Sequence, residues 1–265
     1  MHKSNSFASQ YPQNTQGHIV FPDDMTLRRE LFAEKVQHPA HNNLYMLDEL
    51  AQYLAKPGEW VLDPMAGAGS IMWVARHGYK VGCIELGKYF SEQLETNKVG
   101  FTGEIFIWPE TDCLEILPVL KNTVQVIIFS PPYADQLQTR SGHAIYDPDK
   151  AYAAGGIEHF TYDHPANLGN MKKFKFDQMM RRIYKACLEA LTPGGYCCMI
   201  IKDQMRQGQR VGYGALHTRM ALMEGFTLYE WYNREAIGRV FGTFNLSRGI
   251  AQVTDEHIII LQRPV

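Results

Sequence analysis

Residues 61–70 read "VLDPMAGAGS". Trp60 to Leu62 form a short apolar run that ends in Asp63, and "GSIMWVARHG" carries helical spacing on to Gly78. Gly67 and Gly69 therefore stand between a predicted strand and a predicted helix. Glycines there let a ligand come close to the backbone, and the first turn of a helix has free N–H groups to offer it. A tight strand–helix turn that binds nothing would use the same glycines. Asp63 tilts the balance, because open α/β sheets bind ligands at the carboxyl ends of their strands.

Working outward, "YKVGCIEL" is the next strand and ends in Glu85, and "KYFSEQLETNK" has the pattern of a helix. A strand over 103–108 precedes Asp112, "LEILPVLKN" is a short helix or turn, and "TVQVIIF" is another strand. Upstream, Leu44, Leu47, Leu50, Ala51 and Leu54 recur at helical spacing. Downstream come a helix over 176–191, the strand "GGYCCMIIKD", a helix over 214–224, and the strands "FTLYEWYNR" and "EHIIILQR". This alternation predicts an α/β, Rossmann-like fold with a seven-stranded, mainly parallel sheet. No helix separates the last two strands, so they close the sheet as an antiparallel hairpin. The first twenty or so residues are polar, and 1–37 read as an arm, partly disordered, with 38–265 as one domain. A segment at about 134–174 with little periodicity reads as a substrate-recognition insertion.

The acidic residues at the strand ends suggest a ligand. Asp63 beside the glycine loop would repel a pyrophosphate but suits a cationic or amino-bearing group. Glu85, about twenty residues on, stands where an acid can grip a ribose diol. Met72 takes the place of the third glycine of the dinucleotide fingerprint, which argues against a nicotinamide cofactor. Asp112 can accept from an adenine amino group. One ligand carries an amino acid, a ribose and an adenine, and it is S-adenosylmethionine.

A second stretch, "VIIFSPPYADQ" over 126–136, ends a buried-looking strand in two prolines and a tyrosine. Together, "LDPMAGAGS" and "SPPY" resemble the amino-methylating DNA methyltransferases, which modify cytosine N4 or adenine N6. "HPAHNNLYMLDELAQYL", residues 38–54, resembles the segment that these enzymes place before the cofactor loop. The order of the motifs is that of the family's γ-like members. The resemblance implies that Asp63, Met65, Ala66, Gly67, Gly69, Glu85, Asp112 and Ser130 line the cofactor site. It also implies that Ser130, Pro131, Pro132 and Tyr133 are catalytic.

The chemistry accounts for those residue types. An exocyclic amino nitrogen has its lone pair drawn into the ring. Acceptors at the Ser130 hydroxyl and the Pro131 carbonyl would favour a pyramidal nitrogen that points its lone pair at a methyl donor. Prolines hold the backbone extended and offer no competing N–H. Tyr133 offers a face on which a flipped base can stack. Serine in first place favours cytosine N4 over adenine N6. Similar PPY loops serve methyltransferases of RNA bases and protein amides, and a non-catalytic cofactor-binding regulator is the alternative of a different class. Carbon-5 methylation needs a cysteine nucleophile, and none lies in this loop.

Net charge is -2, so a nucleic-acid partner requires a local basic patch rather than a global field. Candidates for DNA contact are Arg140, Lys172, Lys173 and Lys175, with Arg239 and Arg248 in the final hairpin loop. Lys202 and Asp203 fall near the expected cleft, where structural pairing and catalysis are equally open. Little chain is left for a separate recognition domain, so recognition falls to the insertion and hairpin loop, or to a partner or homodimer. The five cysteines lack CxxC spacing and read as reduced thiols of a cytoplasmic protein. Histidine spacing in the insertion matches no metal-ligand pattern, and no apolar run is long enough for a membrane span.

Overall fold

The structure, a computed structural model, describes residues 6–32, 41–132, 164–206, 208–236 and 252–265. Helices α1 (Met25–Leu31) and α2 (Leu44–Leu54) precede β1 (Trp60–Asp63). A 3-10 helix (Ser70–His77) leads to β2 (Lys80–Ile84), and α3 (Lys88–Lys98) to β3 (Glu104–Trp108). Next come α4 (Cys113–Ile116), β4 (Val124–Phe129), α5 (Lys173–Ala190) and β5 (Leu191–Ile201). A small hairpin of β6 (Gln204–Arg206) and β7 (Gln209–Val211) follows, then α6 (Tyr213–Met223), β8 (Thr227–Glu235) and β9 (Asp255–Gln262).

Seven strands form one sheet in the order β3-β2-β1-β4-β5-β9-β8, and β6–β7 stand apart as a two-stranded ribbon. All pairings are parallel as far as β5, while β9 runs antiparallel to both β5 and β8. The predicted closing hairpin is therefore present, with β9 inserted between β5 and β8. Alternation along the strands sorts the core into two layers. Ile127, Phe129, Cys197, Met199, Ile259 and Leu261 face one cluster with α5 and α6. Val126, Ile128, Cys198, Ile200, Ile258 and Ile260 face the other, with α2 and the 3-10 helix. Fully buried central strands read as continuous apolar runs because both faces are covered.

Three features differ from the sequence reading. The turn after the glycine loop is a 3-10 helix, entered by the Met72 N–H bonding the Gly69 carbonyl at 2.9 Å. The β6–β7 ribbon has strands of three residues, too short to show a period in the sequence. Within the stretch read as an arm, Phe7, Ala8 and Ile19 are buried. Phe7 packs against Tyr53 and Tyr232, and Ile19 bridges in parallel to Arg234, so this segment covers one end of the β8 edge. An edge strand's unpaired backbone groups are the reason that such a cover is useful. No helix among the described residues is long and apolar enough to cross a membrane.

Candidate active site

Strand order reverses beside β1, since β2 and β3 lie to one side and β4 and β5 to the other. Leu62 pairs with Ile127 across β1 and β4. Asp63, one residue further, and Ser130, three residues further, thus leave the same carboxyl edge at the switch point, where sheets of this kind bind ligands. Asp63 also pairs with Cys83 of β2, and Ile84 with Trp108 of β3. Three acids therefore follow one another along that edge: Asp63, Glu85 and Asp112.

Each acid already holds a backbone N–H. Asp63 accepts from Met65 at 2.9 Å, and Asp112 caps α4 by accepting from Leu114 at 2.9 Å. Glu85 accepts from Gly67 at 2.9 Å through Oε2 and from Gly87 at 2.7 Å through Oε1. Glu85, expected to grip a diol, is thus also a brace for the glycine loop. A carboxylate has about four acceptor sites, so these bonds leave capacity on each. Burial raises the Glu85 carboxyl, with the N–H groups of Gly87, Gly67 and Leu86 opposing it. Asp63 is raised to about 7, chiefly by burial and further by the Glu85 charge, against the Met65 N–H.

The loop itself depends on its glycines. Gly67 and Gly69 have φ of 53° and 87°, in the left-handed region. A Cβ on Gly69 would come within 2.3 Å of Met72 Cε and 2.7 Å of Leu94 Cδ2. Met65 is half-buried and Ala66 buried, the latter donating its N–H to the Ile84 carbonyl at 3.0 Å.

Two braces escaped the sequence reading. Asn97, 1% exposed, donates to the Ala68 carbonyl at 3.0 Å. Its signal was there: with Phe90 and Leu94 it falls at helical spacing on the apolar face of α3, an odd place for an amide. Arg28 of α1 donates to Ser70 Oγ at 3.1 Å and to Asp24 Oδ2 at 2.8 Å. Buried Asp24 in turn accepts the Leu44 N–H at 2.9 Å. Nothing in the sequence marks that pairing.

Ser130 and Pro132 are half-buried and Pro131 is buried. Tyr133, Arg140, Arg239 and Arg248 lie outside the described residues, as does most of the 134–174 insertion. Lys172, Lys173 and Lys175 are exposed at the start of α5. Because β4 and β5 are parallel, the helix joining them starts at the carboxyl edge, so these lysines share the edge of Ser130. Three cations at a helix N-terminus oppose its dipole, which an anionic partner would relieve. Lys173 pairs with Asp177 at 2.5 Å. Asp203 has a structural role: it accepts from Arg210 Nε at 2.8 Å and from Gly214 N at 3.1 Å. Lys202 donates to the Ala236 carbonyl. Among the described residues no cluster of three or more His, Cys, Asp or Glu could hold a metal ion.

No family model matches the chain, and no curated protein matches it. Solved structures do resemble it. TrmN from Thermus thermophilus aligns with a TM-score of 0.53 at 17% identity, over 89% of this chain and 52% of that one. The chain thus spans about half the length of the Thermus protein. A SAM-dependent methyltransferase from Methanosarcina mazei aligns with a TM-score of 0.50 at 12% identity, covering 82% of this chain and 97% of that one. A protein described for conversion of a disulfide bond into a thioacetal group during echinomycin biosynthesis aligns with a TM-score of 0.51 at 15% identity, over 90% and 91%.

The fold is that of the class I methyltransferases. At such identities the likeness is one of fold, and substrate has to be argued from the site.

Proposed function

We propose that the chain transfers a methyl group from S-adenosylmethionine to the exocyclic amino group of a DNA base, cytosine N4 in the first place and adenine N6 in the second. The observation that carries this reading is the exit of Ser130-Pro131-Pro132 from β4 at the edge where Asp63 ends β1.

The residues present fit the cofactor. A buried carboxyl at Asp63, raised to about 7 for want of compensation, suits the cationic amine of an amino acid. The Cβ-free turn at Gly67 and Gly69 admits a close approach, and Met65 and Ala66 line it. Glu85 and Asp112 have acceptor capacity for ribose hydroxyls and the adenine amine. When bound, the cofactor supplies an electrophilic methyl group on a sulfonium.

What remains is to make a poor nucleophile better. Ser130 Oγ and the Pro131 carbonyl accept the two N–H bonds of the target amine and hold its nitrogen pyramidal. Pro131 and Pro132 remove competing donors and fix the backbone before the base arrives, so little ordering is left to do. Tyr133 would stack the base, worth roughly 1–3 kcal/mol. Lys172, Lys173 and Lys175 would meet the phosphate backbone of the same strand.

The test is direct. The purified chain is incubated with labelled S-adenosylmethionine and unmethylated DNA, and the DNA is digested to nucleosides. N4-methylcytosine or N6-methyladenine is the expected product. Label in neither nucleoside overturns the DNA reading, and label in RNA or protein run in parallel would redirect it.

A further inference from the structure

Away from Asp63 and Ser130, the same sheet edge carries a cavity of about 530 Å³. Its position follows from the reversal of β9. Because that strand runs antiparallel, its first residues lie at the carboxyl end of its neighbours, and His257 pairs with Ile201 on one side and Asn233 on the other. At roughly 4.8 Å per strand, β9 and β8 stand about 10–14 Å from β4 along the edge. That span corresponds to about three or four stacked nucleotides of one strand, at roughly 3.4 Å each.

The lining is polar throughout. Gln16, Asn233 and Gln252 bring amides, Thr254 a hydroxyl, and His18 and His257 imidazoles. Its cation, Arg210, is already committed. Its two terminal nitrogens meet both oxygens of Asp255 at 2.9 and 2.7 Å, and its Nε meets Asp203 at 2.8 Å. Two carboxylates to one guanidinium make this a poor place for a phosphate. His257 is held as well, its Nδ1 by Asn233 Oδ1 at 2.7 Å and its Nε2 by Asp203 at 3.2 Å. The side chains offered to the donor and acceptor edges of a nucleobase are therefore those of Gln16 and Thr254, with the His18 ring as a face to stack on. His18 Nδ1 is shielded from solvent and has no hydrogen-bond partner among the described residues.

We propose that this cavity is a base-reading pocket for a nucleotide a few positions from the methylated base, so that the N-terminal segment and the β8–β9 end together set sequence context. The proposal rests on the DNA reading above and deepens it. It assigns recognition to residues on rigid strands and to Gln16 and His18, whose side chains hold none of the cofactor loop or the Ser130 turn.

The experiment uses the full chain and the double variant Gln16→Ala/His18→Ala. Both are given S-adenosylmethionine and DNA oligonucleotides randomised on each side of a fixed cytosine or adenine, and methylated products are sequenced. The wild type should favour one base at one flanking position by about tenfold, the scale of a bidentate amide–base contact. The variant should lose that preference while keeping its melting temperature and its rate on disfavoured contexts. An unchanged preference, or no preference in the wild type, overturns the proposal. A parallel arm keeps this failure distinct from failure of the DNA reading. Four 2′-deoxynucleosides at millimolar concentration are tested for binding by ligand-observed NMR. Binding of one of them that the variant abolishes supports the pocket even if no oligonucleotide is methylated. Binding of none overturns it.

Discussion

Glu85 reaches from the end of β2 to the Gly67 N–H, which its Oε2 accepts at 2.9 Å, while its Oε1 holds Gly87 at 2.7 Å. One carboxylate thus ties the glycine loop to the start of α3. In Glu85→Gln one of the two N–H groups would face an amide NH2 instead of an acceptor. A buried N–H without a partner costs about 1–3 kcal/mol. Thermal denaturation should show that loss, and calorimetry should show S-adenosylmethionine bound about tenfold more weakly, equivalent to roughly 1.4 kcal/mol. Affinity equal to wild type would mean that the loop keeps its shape without Glu85.

Asp63 predicts a pH dependence. Burial first, and the Glu85 charge second, raise its carboxyl to about 7. Between about 4 and 7 the folded chain therefore holds a proton that the unfolded chain has released, and this group's contribution to stability falls as pH rises through that window. A cationic cofactor amine favours the ionised form. Affinity for S-adenosylmethionine should then climb with pH, by up to about tenfold per unit, and level off above about 7. Asp63→Asn should flatten the profile in calorimetry between pH 5.5 and 8.5. A wild-type profile that is already flat would remove Asp63 from the amine.

Ser130→Ala separates binding from chemistry. The variant loses one acceptor for the target amine and keeps Asp63, Gly67 and Glu85. Single-turnover methylation should slow by about 10²–10³, the scale for removal of one catalytic hydrogen-bonding group. Cofactor affinity should stay within about threefold. Equal losses in both would place Ser130 in the cofactor site alone.

A buried pair far from the loop makes the protein acid-sensitive. Tyr184 Oη lies 2.6 Å from His217 Nδ1, and burial, aided by the charge of Lys173, lowers the His217 imidazole to about 4. The unfolded chain takes up this proton below about 6.5 and the folded chain does not. The stability from a neutral His217 is therefore complete above about 6.5 and drains away as pH falls toward 4, by about 3 kcal/mol at most. Urea titrations at pH 4.5 and 7 should show this difference shrink in His217→Gln, although that variant is less stable at pH 7.

The strands were legible because strands covered on both faces are continuous apolar runs, whichever way they pair: "TVQVIIF" becomes the parallel β4 and "EHIIILQR" the antiparallel β9. The positions of Asp63 and Glu85 were legible because each stands where an apolar run stops on an acid, while Asp112 follows the end of β3 by four residues, as the cap of α4. The bond from the Gly67 N–H to Glu85 was not, since it joins residues 18 apart in sequence that only the fold brings together. Arg28 shows the limit clearly. Its meeting with Ser70 joins residues 42 apart in sequence, and no local period can encode such a contact. Asn97 lies between these cases, an amide on an apolar face that a closer look at helical spacing picks out.

The cysteines bear on how this chain can be handled in the laboratory. Cys83, Cys113, Cys187, Cys197 and Cys198 are all buried as free thiols, and burial leads the causes that raise Cys83, Cys113 and Cys198. Thiolate is the reactive form, so alkylating reagents should find the native protein silent and the unfolded protein fivefold labelled. A cysteine introduced at exposed Lys172 would then accept a fluorophore or cross-linker without background, with every native thiol left in place.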